Sequence, residues 1–185
     1  MGGGAWTAVA VAGAAAAVLI IWTYNRLIAG RNLAREGFAD IDVQLKRRAD
    51  LVPQLVEAVK GYAAHEKALL TSVAELRSAA VGAKPGVDAG RFESERELGA
   101  KLKQLILLQE SYPQLKADAN FRDLSQKLVD TEDQLQYARR FYNGAVKEYR
   151  NRLESFPDVI VARLFGFQPL PFFETEDRAA VKVQL

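Results

Sequence analysis

The feature that most constrains this chain is an uncharged apolar run close to its N-terminus. Residues 5–24 contain 17 apolar side chains, and no Asp, Glu, Lys or Arg occurs in residues 1–25. As a helix, such a run is about 30 Å long, which matches the hydrocarbon thickness of a bilayer. Trp6 marks one end, and Trp22 and Tyr24 mark the other, as in the aromatic belts of membrane interfaces. The run predicts a transmembrane anchor over residues 1–25.

A cleaved signal peptide is the alternative explanation of this run. Signal peptides begin with a positively charged region, but no Lys or Arg precedes the run, which is also long for a signal peptide. The many alanines give only a modest insertion energy, which Ile20 and its two apolar neighbours strengthen. An uncleaved anchor is therefore the expectation.

Charge asymmetry predicts the orientation of the anchor. Arg26, Arg31 and Arg35 follow the run closely, and no basic residue precedes it. By the positive-inside rule, the N-terminus lies outside and residues 26–185 lie in the cytoplasm. The expectation is thus a single-pass protein of the bacterial cytoplasmic membrane.

Small residues within the run offer a possible helix-helix contact. Gly13 and Ala17 are four residues apart, a spacing at which transmembrane helices approach closely. A featureless alanine-rich anchor explains the same residues, so self-association through this face stays one of two interpretations.

The remainder of the chain is highly charged. All 25 Lys and Arg and all 23 Asp and Glu lie in residues 26–185, for a net charge of +2, which gives no nucleic-acid-binding field. The chain has no cysteine and one histidine, His65, which excludes thiol catalysis, disulfides and multi-histidine metal sites within one chain. No phosphate-binding loop or catalytic triad is present. We therefore expect no catalytic residue, no metal and no cofactor.

Hydrophobic periodicity predicts an all-α protein whose transmembrane helix continues into an antiparallel four-helix bundle. The longest apolar seam, from Phe121 to Tyr149, alternates steps of three and four residues and can pack within the chain or against a partner. Between the first two helices, Asp50 and Pro53 favour a hairpin at residues 48–50, with a kinked single helix as the alternative. The predicted helices span about 26–48, 51–80, 91–110 and 121–155, followed by an apolar segment with a short helix at 156–173 and a loose tail at 174–185.

Two groups of residues are candidates for interactions. The basic patches contain Arg47 and Arg48, and Arg139 and Arg140; ion pairs between helices or lipid headgroups are the two interpretations. Arg48 falls on the apolar stripe of its helix, which predicts a partly buried ion pair. The C-terminal segment can pack on the end of the bundle, or it can bind the membrane interface or a partner. Its candidate residues are Phe165, Phe167, Phe172 and Phe173.

The chain contains the sequence blocks Tyr24-Asn25-Arg26-Leu27, Ile41 to Pro53, Lys60-Gly61-Tyr62, Tyr112-Pro113-Gln114-Leu115-Lys116-Ala117 and Phe165-Gly166-Phe167. Taken together, these and further blocks resemble the LemA family over about residues 24–173. The resemblance implies a membrane-anchored four-helix bundle with no established biochemical activity and no catalytic residues to carry over. We expect a non-enzymatic scaffold or adaptor that contacts the lipid bilayer and binds itself or an envelope protein such as a membrane peptidase. A lipid-binding or membrane-shaping protein is the alternative.

Overall fold

The computed structural model describes residues 3–82 and 89–173, and this part of the chain is helical, with no strand. A short 3-10 helix at Leu108–Glu110 follows the third α-helix. The predicted tail at 174–185 lies outside the described residues. The α-helices are α1 (Gly3–Lys60), α2 (Lys67–Gly82), α3 (Ala89–Leu107), α4 (Pro113–Ala117), α5 (Ala119–Glu154) and α6 (Asp158–Leu164).

Internal contacts group the chain into two compact units. Within the described residues, unit 1 consists of residues 3–38 and 140–172, and unit 2 consists of residues 39–82, 89–139 and Phe173. These units group residues that pack together in space, whereas the predicted division into anchor, bundle and C-terminal segment was based on the pattern of apolar and charged residues along the sequence. The antiparallel four-helix arrangement stays a prediction.

The hairpin predicted at residues 48–50 is wrong, because α1 continues through this point to Lys60 with Pro53 in its interior. Proline has no backbone N–H, so the carbonyl of Ala49 loses its usual intrahelical partner four residues later. The side chain of Arg77, in α2, replaces that partner: its Nε donates a hydrogen bond of 2.8 Å to the Ala49 oxygen. A tertiary contact therefore supplies what the proline removes.

The chain instead turns at residues 61–66, within the range predicted as the second helix. Gly61, a poor helix former, follows the last residue of α1, and the amides of Tyr62 and Ala63 both donate to the Val59 carbonyl. Two tyrosines then tie this turn to the segment around α4. The Tyr62 hydroxyl donates to Asp118 over 2.9 Å, and the Tyr112 hydroxyl donates to Glu66 over 3.2 Å.

Asp118 also begins α5. Its Oδ1 accepts a hydrogen bond of 2.7 Å from the Phe121 amide, as in an N-cap. This backbone bond, together with the Tyr62 hydroxyl, lowers the pKa of Asp118. The same contact with Asp118 raises the pKa of Tyr62, because it stabilises the protonated phenol.

Unit 2 has its own apolar core, formed by α1, α2, α3, α4 and α5. Burial of these aliphatic side chains provides the main driving force for folding of the unit. The largest fully buried members are Leu55, Leu98, Leu102, Leu105, Leu115, Phe121 and Leu128.

Unit 1 is held by close contact of α1 with α5 and by a smaller cluster at α6. Gly37 of α1 allows the approach, because a Cβ there would lie 2.8 Å from the Phe141 ring and 3.2 Å from the Tyr142 Cα. Nearer the N-terminus, Leu27 of α1 is buried together with Val161 and Ala162 of α6.

Candidate functional site

The N-terminal part of α1 is apolar and exposed. Within the described residues, α1 is the one helix whose length and composition would allow it to cross a membrane, and almost none of its apolar stretch is buried. A Cβ on Gly13 would meet nothing within 4 Å, so its close approach to another helix stays a prediction. Of the other predicted anchor residues, Tyr24 is half-buried, and Trp6, Ala17, Ile20 and Trp22 are exposed.

Tyr24, at the end of the apolar run, contacts the residues that follow α6. Its ring lies edge-on to those of Phe165 and Phe167, with centroids 5.0 Å and 5.5 Å away, a favoured aromatic geometry. The Arg31 guanidinium lies 5.5 Å from the ring centroid of Phe167. Phe167 is therefore an internal packing residue, whereas half of the Phe165 surface stays exposed.

An ion pair lies beside this aromatic group. The buried carboxylate of Asp158, at the start of α6, is 3.3 Å from a guanidinium nitrogen of Arg26. The same guanidinium lies 5.1 Å from the ring centroid of Trp22, within the range of a cation-π contact. Arg26 thus joins the end of the apolar run to α6, and no local sequence pattern predicts this pairing.

Two buried tyrosines of α5 bind the C-terminal segment after α6. The Tyr142 hydroxyl donates to the Pro171 carbonyl over 2.7 Å, and the Tyr149 hydroxyl donates to the Gln168 carbonyl over 3.2 Å. Burial raises the pKa of both phenols, so both remain protonated donors at neutral pH. Beside them, Arg150 stacks on Phe172 at 4.8 Å.

Phe173 belongs to unit 2 and is buried there. Its ring centroid lies 3.9 Å from that of Phe92 in α3, and the Arg139 guanidinium lies 4.7 Å from it. Of the four phenylalanines predicted for interactions, Phe165 is exposed, Phe167 and Phe172 are half-buried, and Phe173 is buried.

The most buried polar cluster of unit 2 surrounds Arg48, whose side chain is 1% exposed. Its guanidinium pairs with the Glu95 carboxylate, donates to the Glu95 carbonyl over 3.0 Å, and pairs with Glu132 over 2.8 Å. The buried ion pair expected from the helix stripe is present. A Cβ on Gly99 would lie 3.3 Å from the guanidinium, so this glycine leaves room for it.

The other basic residues differ in exposure. Arg139 is half-buried near the Arg48 cluster, and burial together with the positive charge of Arg48 lowers its pKa. Arg47 and Arg140 are exposed. Arg48 is therefore part of the interior of unit 2. Of the predicted basic patches, Arg47 and Arg140 remain as surface cations.

The apolar C-terminal segment was predicted from the sequence, but its exposed apolar stripe at α6 was not singled out. Ile160 and Leu164 are four residues apart on one side of α6, and Phe156 lies in the turn that precedes the helix. This spacing is the signal that could have identified them. The exposed fractions of Phe156, Ile160 and Leu164 are 81%, 57% and 69%.

Over residues 3–82 and 89–173, no group of three or more His, Cys, Asp and Glu side chains is arranged to hold a metal ion. His65 lies exposed in the turn at 61–66. The described geometry of unit 1 thus consists of packing, an ion pair and apolar surface near the end of the apolar run of α1.

Comparison with known proteins identifies the relatives of this chain. It is 20% identical to magnetosome protein MamQ of Magnetospirillum gryphiswaldense over 178 residues, a match that covers 83% of this chain and 65% of the relative. It is 21% identical to magnetosome protein MamQ 2 of Paramagnetospirillum magneticum, with 84% and 66% covered. The chain therefore spans slightly less than two thirds of these relatives. The model of the LemA family matches residues 37–185, most of the chain. The chain belongs to the LemA family.

Proposed function

We propose that this protein is a non-catalytic, membrane-anchored scaffold or adaptor that acts through self-association or through binding of an envelope protein. The observation that carries the proposal is the exposed apolar part of α1, which continues without interruption into a charged helical body. Almost none of this apolar part is buried, so its surface is available for lipid and for other transmembrane helices.

The proposed location is the bacterial cytoplasmic membrane, with the N-terminus outside and the helical body in the cytoplasm. The Arg residues that follow the apolar run support this orientation. Because the chain has no cysteine, single-cysteine variants can be labelled on intact cells with a membrane-impermeant maleimide. Gly4→Cys should be labelled on intact cells, whereas Asn151→Cys should be labelled only after the membrane is permeabilised. Labelling of Asn151→Cys but not of Gly4→Cys on intact cells would place the helical body outside.

Self-association is tested by light scattering of the full chain in detergent at several protein concentrations. A defined oligomer supports a self-assembling scaffold. Gly13→Leu should then shift the mass towards the monomer if the Gly13 and Ala17 face is the contact. Ala15→Leu is the matched control, because two residues along a helix correspond to roughly the opposite face. A monomer at every concentration would exclude self-assembly and direct crosslinking experiments to an envelope partner.

Lipid binding or membrane shaping is the second candidate function. The basic-patch version has less support, because Arg48 is buried in ion pairs. The observation that favours lipid binding is the exposed apolar stripe of Phe156, Ile160 and Leu164, which follows α5 in unit 1.

A further inference from the structure

One side of α6 is buried and the other is apolar and exposed. Val161 and Ala162 pack against Leu27 of α1 on the buried side. The exposed side continues into Phe165, which is 51% exposed. Neighbouring exposed apolar side chains that form a contiguous patch mark a candidate contact surface. We call the exposed residues the outer stripe; they are Phe156, Ile160, Leu164 and Phe165.

The outer stripe lies at the level where the apolar run of α1 ends. Phe165 contacts Tyr24, the last residue of that run, and α6 packs on Leu27, three residues further along. Three helical residues correspond to about 4.5 Å, and the interfacial layer of a bilayer is roughly 5–8 Å thick on each side. If residues 5–24 cross the hydrocarbon layer, α6 therefore lies within the headgroup layer.

Cationic and aromatic side chains at the same level fit this environment. Trp22 is exposed, and the Arg26 guanidinium, which pairs with Asp158, lies over its ring. Arg163, in the last turn of α6, is exposed beside Leu164. Long cationic side chains and indole rings are favoured where apolar surface meets phosphate groups.

We propose that the outer stripe inserts into the bilayer at the boundary between headgroups and acyl chains, and forms a second membrane contact beside the transmembrane helix. The ligand is a phospholipid surface, with anionic headgroups near Arg26 and Arg163. The proposal rests on the proposed membrane anchoring of α1, with which the stripe is continuous. An interfacial helix of this kind inserts its apolar side and leaves its cations among the headgroups.

The test uses the full chain in proteoliposomes of phosphatidylcholine and phosphatidylglycerol. Since the chain has no cysteine, Ile160→Cys and Leu164→Cys each carry a single nitroxide label. Spin relaxation by oxygen, which concentrates in lipid, is compared with relaxation by a water-soluble nickel chelate. Val11→Cys in the apolar run is the lipid control, and Leu33→Cys, an exposed apolar position further along α1, is the water control.

The expected result is an oxygen-to-nickel ratio at Ile160 and Leu164 several-fold above that at Leu33. Equal ratios at these three positions would overturn the proposal. Labels at Ile160 and Leu164 that neither reagent reaches would also overturn it, because a protein would then cover the stripe. The Val11 label separates the two proposals: a water-like ratio there would refute the anchoring itself, whereas a lipid-like ratio there with a water-like ratio at Ile160 would refute the stripe alone.

Discussion

The hydrogen bond from Arg77 to the Ala49 carbonyl predicts a specific energetic coupling with Pro53. In Arg77→Met, the aliphatic volume is largely kept but the donor is lost, so the buried Ala49 carbonyl has no partner. Leaving a buried acceptor unpaired costs about 1–3 kcal/mol. We therefore expect Arg77→Met to lower the free energy of unfolding by this amount.

Replacing the proline should remove that cost. In Pro53→Ala, the amide of residue 53 becomes available to the Ala49 carbonyl, and a residue with high helix propensity replaces proline, so this variant should be more stable than the natural chain. In the Pro53→Ala background, Arg77→Met should cost less than about 0.5 kcal/mol. The coupling energy of the double-mutant cycle is then about 1–2 kcal/mol, within the range seen for residues in contact.

The assay is thermal or urea unfolding of the four full-length proteins in detergent, followed by circular dichroism. A loss of 1 kcal/mol corresponds to roughly 2–4 °C in Tm for a chain of this size. Arg152→Met is a matched control, because Arg152 also donates to a carbonyl of α1, that of Arg26, over 3.3 Å. There the residue four positions later is Gly30, which keeps its own N–H, so the loss should be small.

Equal costs of Arg77→Met in the proline and alanine backgrounds would refute the reasoning. That result would mean that the guanidinium contributes through packing or charge, and not by replacing the missing amide.

Three further predictions concern buried charge, packing and pH. Glu95→Gln should lower the free energy of unfolding by about 3–5 kcal/mol, because the buried Arg48 guanidinium loses its buried counter-charge. Glu132→Gln should lower it by less than about 1 kcal/mol, because the Glu132 side chain is 33% exposed. Similar unfolding midpoints of the two variants would contradict this. Gly37→Ala should destabilise the protein by about 1–3 kcal/mol, because its Cβ would overlap the Phe141 ring. Gly144→Ala should stabilise it by about 0.5–1 kcal/mol in the same melts, because a Cβ there meets nothing within 4 Å. Asp118→Asn should lower stability at neutral pH. The difference in stability between the variant and the natural chain should vanish in acid melts, as the pH falls from 3.8, the ordinary pKa of the carboxyl, through the lowered pKa of native Asp118. A difference that persists at that pH would exclude the carboxylate charge as its cause.

The regular seam of α5 was predictable from the sequence because burial follows helical periodicity. The residues of the predicted seam are all buried within the chain: Phe121, Leu124, Leu128, Thr131, Leu135, Ala138, Tyr142, Ala145 and Tyr149. The burial of Arg48 was predictable for the same reason, since it occupies an apolar position of its helix. Its partners were not, because Glu95 and Glu132 lie on other helices and no local pattern pairs them with it.

The continuity of α1 could not be read from local signals. Asp50 and Pro53 form a plausible helix start, and the side chain that compensates for the proline is 28 residues away from Ala49. The roles of the C-terminal phenylalanines were also undetermined. Composition identifies an apolar segment, but only the packing on Tyr24 and Leu27 distinguishes the buried side of α6 from its exposed side.

The two tyrosine hydrogen bonds to the C-terminal segment fix the number of residues between the two carbonyls that accept them. Tyr149 and Tyr142 are seven helical residues apart, about 10 Å. Gln168 and Pro171 are three residues apart, and three residues of extended chain also span about 10 Å. One inserted residue would displace the next carbonyl by roughly 3.3 Å, more than a hydrogen bond tolerates. Surface segments usually accept insertions, but this one has a fixed length. A reporter tag placed between Gln168 and Pro171 should therefore release the segment, whereas substitutions that keep the residue count should leave it bound.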